Sequence, residues 1–541
     1  MKHNFFKIYI SFCLALFGTS SLFAQDTDFY QLDSIQELKI EFEQENWRQA
    51  LDSLRFNGDE LLNAKLTING TTFSDVGVRI KNDRAFIPDQ KKNSLFIRLD
   101  HKIEGQNYLG NRAVLLSMAL RDPSLVREVL AYNIARKYMA APKANFAKLQ
   151  VNDEYYGFFV NIEPIDDRFL EANFGYKDGH LFYSNPTSKV KMNDYCLDAA
   201  YGNLRLEPSA ECYDRNIDLV RGNSFDPFVA LVRAINSDEA QLRAKNLDVD
   251  QTLWMLAFNN VIANLSSYLG KEAPNYFLYQ KEDGRFVPIL WNTNFAFGSA
   301  KNIGKGSDLS VGAMEKLDPF LHEKSVRKPL VSKLLSSEQN RKAYLSHMRT
   351  ILYDEFLSGS FEKQANELQD LIRVPLTNDR NRYYNTADFD RSLVATIGKI
   401  TKIPGLVTFM NNRSRFLKKN KDFLYIPAEI GTPKYKERKR YSRDIIEDFQ
   451  IQIPISAFAT SVKVFYRFDG EGPFKEMEMK DDGKNYDLDA GDNIYGVIIS
   501  PETGVDQLEY YIRAENAKTV SYAPARYMYE LNQIKLSDLN K

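Results

Sequence analysis

The sequence predicts an α+β domain followed by a β-sandwich, and three patterns support this prediction. Strand-like segments dominate residues 33–160, apolar residues spaced three and four apart dominate residues 225–423, and alternating strand-like segments return after residue 446. The 44% hydrophobic content supplies large apolar cores and excludes a chain that is disordered throughout. The 541 residues are enough for about three or four domain-sized units.

The N-terminal residues 1–24 have the pattern of a signal peptide. Lys2, His3 and Lys7 precede an apolar stretch at 8–17. Small residues follow it up to Ala24, after which we expect cleavage. A buried core helix would give a similar stretch, but its position at the first residues favours the signal. Because no later segment is long and apolar enough to span a bilayer, we expect a mature chain without an integral membrane segment. It would be exported to the periplasm, the cell surface or the medium.

Charge and cysteine content limit the expected partners and cross-links. With 71 basic and 72 acidic residues, the formal net charge is −1, which gives no support for a nucleic-acid partner. The expected partner is an exported protein that the sequence does not identify. Cys196 and Cys212 are the two cysteines beyond the signal, and in an oxidising compartment they could form a disulfide or remain free thiols.

The strand-rich part, at about residues 33–185, begins with three short strands and a turn. Segments 64–68, 76–80 and 94–99 alternate in polarity, and Asn69-Gly70 is typical of a hairpin turn. A helix is expected after Asp122-Pro123-Ser124, because proline near the first turn favours a helix start. A second hairpin is expected from segments 146–151 and 156–162.

The mainly helical part, at about residues 225–425, contains one hairpin. Helical periodicity is found in segments 228–236, 253–265, 330–335, 344–356 and 361–372. Between them, 276–279 and 286–291 read as two strands joined by a turn at Glu282-Asp283-Gly284. The second strand ends in Trp291-Asn292-Thr293-Asn294, and the end of a strand among helices is a favourable place for a functional site.

The last part of the chain reads as a linker and a β-sandwich. Residues 426–445 contain a charged run at 434–440 and are expected to be a solvated linker. Residues 446–535 contain alternating segments such as 462–468 and 507–514, which favour a sandwich. Near its middle, Asp487, Asp489 and Asp492 are spaced so that they could bind calcium, although a plain acidic turn explains them equally well.

Six segments follow one another in order along the chain: Val76-Gly77-Val78-Arg79-Ile80-Lys81, Lys92-Asn93-Ser94-Leu95-Phe96-Ile97, Asp122-Pro123-Ser124-Leu125-Val126-Arg127-Glu128, Asn152-Asp153-Glu154-Tyr155-Tyr156-Gly157, Asn275-Tyr276-Phe277-Leu278-Tyr279 and Pro288-Ile289-Leu290-Trp291. In this order they resemble the CotH kinase family, the spore-coat-type atypical protein kinases. The resemblance covers roughly residues 33–423, within a domain expected at 27–425. A second resemblance, at 479–483 and 491–496, is to the immunoglobulin-like module that often follows this domain in exported members.

The resemblance implies a divergent, two-lobed protein-kinase-like domain that binds ATP with Mg²⁺ or Mn²⁺ between its lobes. Phosphoryl transfer needs cations near the phosphates and carboxylates that hold the metal. The cations expected near the nucleotide are Arg79, Lys81, Lys91 and Lys92, and Glu128 is expected to orient one of the lysines. The alternative is that these cations are exposed and that Arg127 and Glu128 form a surface pair of little energetic value.

The chain departs from the family where acidic residues are expected. Ser266 and Asn292 stand at positions that carry aspartate in the family, Asn294 stands where the family has Asp or Asn, and Asn275 agrees with the family. Neutral oxygens hold Mg²⁺ more weakly than carboxylates, which predicts a pseudokinase or a weak nucleotide binder.

Two alternatives remain open at the sequence level. An active kinase of exported proteins would need a substitute carboxylate, for which Glu272, Glu282, Asp283 and Asp308 are candidates by proximity in the sequence. A cell-surface binding or structural protein would need none.

Overall fold

The structure, a computed structural model, describes residues 28–56, 60–81, 91–186, 195–197, 201–214, 216–304, 306–440, 445–470, 472–501 and 505–535. The predicted signal peptide lies outside the described residues. Within them the chain has the predicted α+β composition. The strands are β1 (Ile35–Glu41), β2 (Leu62–Ile68), β3 (Thr71–Ile80), β4 (Leu95–Arg98), β5 (Ala113–Ser117), β6 (Ala144–Val151), β7 (Glu154–Ile162), β8 (Leu181–Ser184), β9 (Ile217–Arg221), β10 (Tyr276–Gln280), β11 (Phe286–Leu290), β12 (Lys434–Arg440), β13 (Ile445–Pro454), β14 (Ser461–Phe468), β15 (Lys475–Glu478), β16 (Ile494–Ile499), β17 (Gln507–Glu515), β18 (Val520–Ala523) and β19 (Asn532–Lys535).

The helices follow the predicted helical periodicity in most of the second half. They are α1 (Trp47–Phe56), α2 (Arg127–Ala135), α3 (Asp167–Phe174), α4 (Asp226–Asn236), α5 (Ala240–Asn246), α6 (Val249–Val261), α7 (Val311–Glu315), α8 (Pro329–Leu335), α9 (Glu338–Ile351), α10 (Ser360–Thr377), α11 (Thr386–Arg391) and α12 (Leu406–Lys419). A π-helical segment, Leu352–Leu357, follows α9. None of the helices within the described residues combines the length and the apolar composition that a membrane crossing requires.

The first seven strands form a closed barrel in the order β1-β2-β3-β4-β5-β7-β6. Neighbouring strands are antiparallel, except that β1 pairs in parallel with β6 and so closes the barrel. Alternate residues of each strand point to opposite faces, so one apolar set fills the interior. This interior cluster includes Leu38, Leu66, Val78 and Ile97, all almost completely buried.

A second and larger core lies between the barrel and the helices. Helix α2 belongs to it and is buried on nearly all sides, which explains why its sequence is apolar without a polar face. The outer face of β6 and β7 contributes Phe146 and Phe158 to the same core. The barrel and the helical part are therefore joined by packed apolar surface.

A four-stranded sheet in the order β11-β10-β8-β9 lies among the helices. The sequence assigned residues up to about 185 to the strand-rich lobe, and this boundary is wrong for β8. Its backbone pairs with β10 and β9 rather than with the barrel. The predicted hairpin β10–β11 is thus half of a larger sheet that the helices cover.

The C-terminal part forms two sheets around a common apolar core, a β-sandwich. One sheet is β12-β13-β16 and the other is β15-β14-β17-β18, with β19 also paired to β17. The charged run at 434–440 was predicted to be a linker, and this prediction is wrong. It forms β12, because its backbone pairs with β13 along its length, and backbone pairing does not require apolar side chains. An immunoglobulin-like relationship remains a prediction.

The sandwich packs against the helical part through polar and aromatic contacts. Lys342 Nζ on α9 donates to Glu515 Oε1 (2.8 Å) and to the Asn516 carbonyl (3.0 Å). Tyr522 on β18 lies with its ring 6.1 Å from that of His347, which stacks on Trp254 at 3.8 Å. The two parts therefore share a defined interface.

Candidate functional site

The end of the β10–β11 hairpin is the centre of the predicted site. Tyr276 is paired with Leu290, so Asn275, just before β10, and Asn292, just after β11, lie at the same end of the hairpin. Both have left-handed backbones, with φ of 59° and 52°. Asparagine tolerates this region better than most residues, which suits it to a tight change of direction at a strand end.

Helix α2 holds the chain that follows β11. The backbone N–H of Asn292 donates to the hydroxyl of Tyr132 (2.8 Å), and Thr293 Oγ1 donates to the Glu128 carbonyl at the longer distance of 3.4 Å. Burial, followed by the nearby charge of Glu128, raises the pKa of Tyr132 well above its ordinary value. The tyrosine therefore stays a neutral hydroxyl and fixes the position of Asn292.

Arg127 reinforces the same loop from the start of α2. Its guanidinium donates to the carbonyls of Ala296 (2.7 Å) and Phe297 (3.1 Å) and lies 3.6 Å from a carboxylate oxygen of Asp122. Arg127 and Glu128 are both completely buried. The interpretation of these two residues as a surface pair is therefore wrong.

Asn292 and Asn294 each place an amide oxygen in a buried position without a hydrogen bond. The residues are 7% and 8% exposed, and neither Oδ1 atom has a hydrogen-bond partner. A buried oxygen without a partner carries a desolvation cost that a ligand can remove. These two atoms are the ones the sequence singled out as weak metal ligands.

The sequence suggested that Ser266 lies at the end of a helix, directly after segment 253–265. In the structure Ser266 lies in a loop instead. Helix α6 ends at Val261, and the residues after it turn towards the hairpin. Asn275 Nδ2 donates to the hydroxyl oxygen of Ser266 (2.9 Å), and the hydroxyl of Tyr183 donates to Asn275 Oδ1 (3.1 Å). Ser266 and Asn275 are therefore in contact, and the amide oxygen of Asn275 already accepts a hydrogen bond.

Aromatic rings connect the two groups of polar residues. Tyr183 stacks on Phe277 with 4.6 Å between ring centroids, and Phe277 meets Trp291 edge-on at 5.5 Å. The Gly298 N–H also donates to the Ala263 carbonyl (3.2 Å), which ties the loop after β11 to the loop of Ser266. The structure thus brings the four neutral positions, which are Ser266, Asn275, Asn292 and Asn294, to the same end of the β10–β11 hairpin.

Two of the predicted nucleotide cations, Arg79 and Lys81, lie at the end of barrel strand β3. Because they are two residues apart in an extended chain, the side chains of Arg79 and Lys81 point to the same face. Lys81 Nζ lies 5.4 Å from the ring centroid of Trp291, and the Arg79 guanidinium lies 5.1 Å from that of Phe96. Lys81 is therefore next to the tryptophan that directly precedes Asn292.

The other two cations have different surroundings. Lys91 is exposed and lines a cleft of about 180 Å³ between α1 and the barrel. Lys92 is 2% exposed, and its ammonium donates to Asp379 Oδ2 and to the Phe158 carbonyl, each at 2.9 Å. Burial lowers the pKa of Lys92, which the neighbouring Asp379 partly offsets. Its donors are committed to a structural ion pair rather than to an open cleft.

Three of the four substitute carboxylates suggested by sequence proximity lie in exposed turns or loops. Asp283 lies at the hairpin turn, the end opposite Asn292, and accepts from Arg285. A five-residue strand separates the two ends by roughly 15 Å. Asp308 is exposed and accepts from Asn302 Nδ2. Glu282 is exposed in the same turn as Asp283.

The sequence of the chain matches a known family model over residues 85–417, which is more than half of its length. The description of that family is CotH kinase protein. This chain belongs to the CotH kinase protein family.

One relative extends this family assignment. The inner spore coat protein H of Bacillus subtilis (strain 168) is 24% identical over 341 residues, which cover 61% of this chain and 84% of that protein. A solved structure, the bromine derivative of BhCBM56, is similar at 13% identity over 16% of this chain and 79% of its own, with a TM-score of 0.13. A score this low carries no argument about the fold.

In this CotH kinase protein, the donor set does not fit a tightly held magnesium ion. Mg²⁺ is usually bound by one or two carboxylates together with phosphates. Here the predicted metal positions supply the amide oxygens of Asn292 and Asn294 and the hydroxyl of Ser266, which already accepts from Asn275. We therefore derive no phosphoryl-transfer step through a metal at these residues.

Sequence reasoning missed several residues that build the site. Tyr132, Tyr183 and Arg127 act through hydrogen bonds that join segments distant in the sequence. A tyrosine or arginine in an otherwise apolar helix was the one available signal, because such residues are rarely buried without a partner. Asp379 carried no signal at all.

The two cysteines lie in the part of the chain that connects β8 to β9. The structure joins Cys196 and Cys212 in a disulfide with Cα atoms 5.7 Å apart. Cys212 is buried, and Tyr213 beside it packs edge-on against Phe228 of α4. The bond therefore anchors the chain between β8 and β9 to the helical part.

Proposed function

We propose that this CotH kinase protein is a pseudokinase, impaired in phosphoryl transfer, that retains weak nucleotide binding. The family fold supplies the site, and the loss of charge at the metal positions removes what the transfer step requires. The expected partner is another exported protein that it would bind rather than phosphorylate.

The observation that carries the proposal is the pair of amide oxygens of Asn292 and Asn294. They are buried without hydrogen bonds at the end of β11, so the geometry of a ligand site remains. Their charge is zero, so the developing negative charge of a transferred phosphoryl group would lack a metal held by carboxylates. A site whose ligand atoms are in place but carry no negative charge is expected to bind a nucleotide weakly and not to catalyse phosphoryl transfer.

Nucleotide binding in this proposal depends on Lys81 and Arg79. Lys81, directly after β3, has its ammonium beside Trp291, and Arg79 lies two residues earlier over Phe96. An ammonium or guanidinium there can attract phosphates without a metal. Lys92 is left out of this role because its ammonium is buried against Asp379.

Calorimetric titration of the full chain with ATP, in EDTA and then in magnesium, tests the proposal. We expect weak binding whose affinity changes less than about threefold with magnesium. The variant Ser266→Asp/Asn292→Asp should gain about tenfold or more in magnesium, equivalent to about 1.4 kcal/mol. Lys81→Ala should weaken ATP binding in both conditions.

Two controls match these variants. Gln241→Glu/Asn366→Asp adds the same two charges on the exposed faces of α5 and α10, and Lys245→Ala removes a charge from the exposed face of α5. Both should bind ATP like the unmodified chain. A wild-type affinity that rises tenfold or more with magnesium would contradict the proposal and favour an active kinase. No ATP binding at all would favour a surface-binding or structural protein.

Export belongs to the same proposal. Disulfides persist in oxidising compartments and are rare in the cytosol. The bond between Cys196 and Cys212 therefore supports a periplasmic, cell-surface or secreted location.

A further inference from the structure

The loop between β15 and β16, residues 479–493, folds back over the sandwich. Lys480 and Gly496 exchange backbone hydrogen bonds of 3.1 and 2.8 Å at its base. A Cβ at position 496 would lie 2.5 Å from the backbone nitrogen of Asp487 and 2.6 Å from the carbonyl oxygen of Asn485. Only glycine allows so close an approach, which is how the loop comes to bury Asp487.

Three carboxylates of this loop converge. Asp481, Asp487 and Asp492 each offer an oxygen, and these three oxygens all lie within 4.8 Å of one another. No ion pair within the part of the chain that the structure describes includes any of the three. The sequence singled out Asp489 instead of Asp481, and in the structure Asp489 lies outside this group.

Asp487 gives a second and independent sign of a ligand. The residue is only 3% exposed, and its Oδ1 is buried and has no hydrogen-bond partner, while Oδ2 accepts from the Gly483 N–H. A buried carboxylate oxygen with no donor is costly, since its charge is neither solvated nor paired. Such an atom beside two further carboxylates calls for a cation.

Backbone groups hold Asp481 in place. Its Oδ1 accepts from the N–H groups of Gly491 and Asp492, and its Oδ2 accepts from that of Asn493 (2.9 Å). The carboxylate is thereby fixed beside Asp487 before any ligand arrives. An oxygen fixed in this way loses little conformational entropy when it ligates an ion.

We propose that Asp481, Asp487 and Asp492 form a calcium site in the β-sandwich. Calcium is bound by oxygens at about 2.3–2.6 Å, so ligand atoms on opposite sides of one ion lie up to about 5 Å apart. The spread of the three carboxylate oxygens fits this range. Zinc would favour nitrogen or sulfur ligands, which the group does not contain. The site is distant in sequence from the kinase-like positions and independent of their function.

Calcium binding to the full chain, freed of metal with a chelator and titrated in the absence of nucleotide, tests this inference. We expect about one calcium ion per chain by calorimetry and a rise in the melting temperature on adding calcium. Asp487→Asn and Asp492→Asn should weaken calcium binding about tenfold or more. Magnesium at the same concentration should bind more weakly than calcium.

Asp489→Asn is the matched control, since it removes an exposed charge from the same loop and leaves the group intact. It should bind calcium like the unmodified chain. Circular dichroism in chelator shows whether Asp487→Asn still folds, and Asp492→Asn, an exposed position, tests the site without that risk. The inference is overturned if calcium neither binds nor raises the melting temperature, if Asp492→Asn binds calcium normally, or if Asp489→Asn weakens binding as strongly.

Discussion

Asn292 differs from the aspartate expected at its position by charge and hardly at all by shape. Its backbone N–H is held by Tyr132 and its backbone is left-handed, both of which an aspartate would tolerate. Ser266 likewise keeps a contact, with Asn275. At the residue scale, therefore, the proposed site has a defined scaffold and neutral side chains, which is why acidic substitutions are informative here.

Lys92 gives a prediction about stability at the same scale. Replacing it with methionine should lower the free energy of unfolding by about 3–5 kcal/mol, because Asp379 would be left buried and unpaired. Denaturant unfolding measures the change. If Lys92 instead faced an open nucleotide cleft, the loss would be small.

Lys39→Met is the control for this prediction. Lys39 pairs with Glu41 and Asp153, but both the lysine and its partners are substantially exposed. Such a pair is worth less than about 1 kcal/mol. Equal losses for the two variants would show that burial of the Lys92 pair is not what matters.

Residue assignments from sequence were sound where a local motif carried them. The sequence placed Asn275 just before the first strand and Asn292 just after the second strand of one hairpin, and they lie there, at the same end of it. The partner of Lys92 could not be found, because Asp379 is 287 residues away and no periodicity links the two. Burial of Arg127 was missed for the same reason, since its acceptors are backbone carbonyls of distant loops.

Elements were predictable where the pattern is local, and their assembly was not. The strands β2, β3, β6 and β7 and the β10–β11 hairpin were expected from alternation and turn residues. Closure of the barrel depends on the parallel pairing of β1 with β6, a contact between distant segments. Strand β12 was not predicted, because the charged sequence at 434–440 is typical of a linker. Its pairing with β13 is through the backbone and does not depend on the side-chain type.

Gly157 gives a prediction for the barrel. Its φ of 155° and a Cβ that would lie 2.6 Å from Lys92 Cδ both oppose a side chain at this point of β7. Gly157→Ala should therefore lower the free energy of unfolding by about 1–3 kcal/mol. Thermal or denaturant unfolding measures it.

Gly312→Ala is the matched control for that variant. A Cβ there would meet nothing within 4 Å, and the residue lies in α7, where alanine favours the helix. It should leave the protein as stable or slightly more stable. A Gly157→Ala variant as stable as Gly312→Ala would mean that Lys92 does not pass so close to β7.

At the scale of the whole molecule, the two proposed ion sites differ in their ligand atoms. The kinase-like body keeps neutral oxygens at the end of β11, whereas the sandwich gathers three carboxylates in one loop. The sandwich also packs on α9 through Lys342 and Tyr522, so it is in contact with the body rather than suspended on a linker. A cation bound in the sandwich would therefore stabilise the folded chain without occupying the proposed nucleotide site.

The most direct test of the central claim is phosphate transfer from ATP labelled at the γ-position. The full chain is incubated with magnesium or manganese, alone and with a general protein acceptor, and incorporated label is measured. We expect no incorporation above that of the Lys81→Ala variant, because the metal positions lack carboxylates. Labelling by the unmodified chain that Lys81→Ala abolishes would contradict the account and make this protein an active kinase.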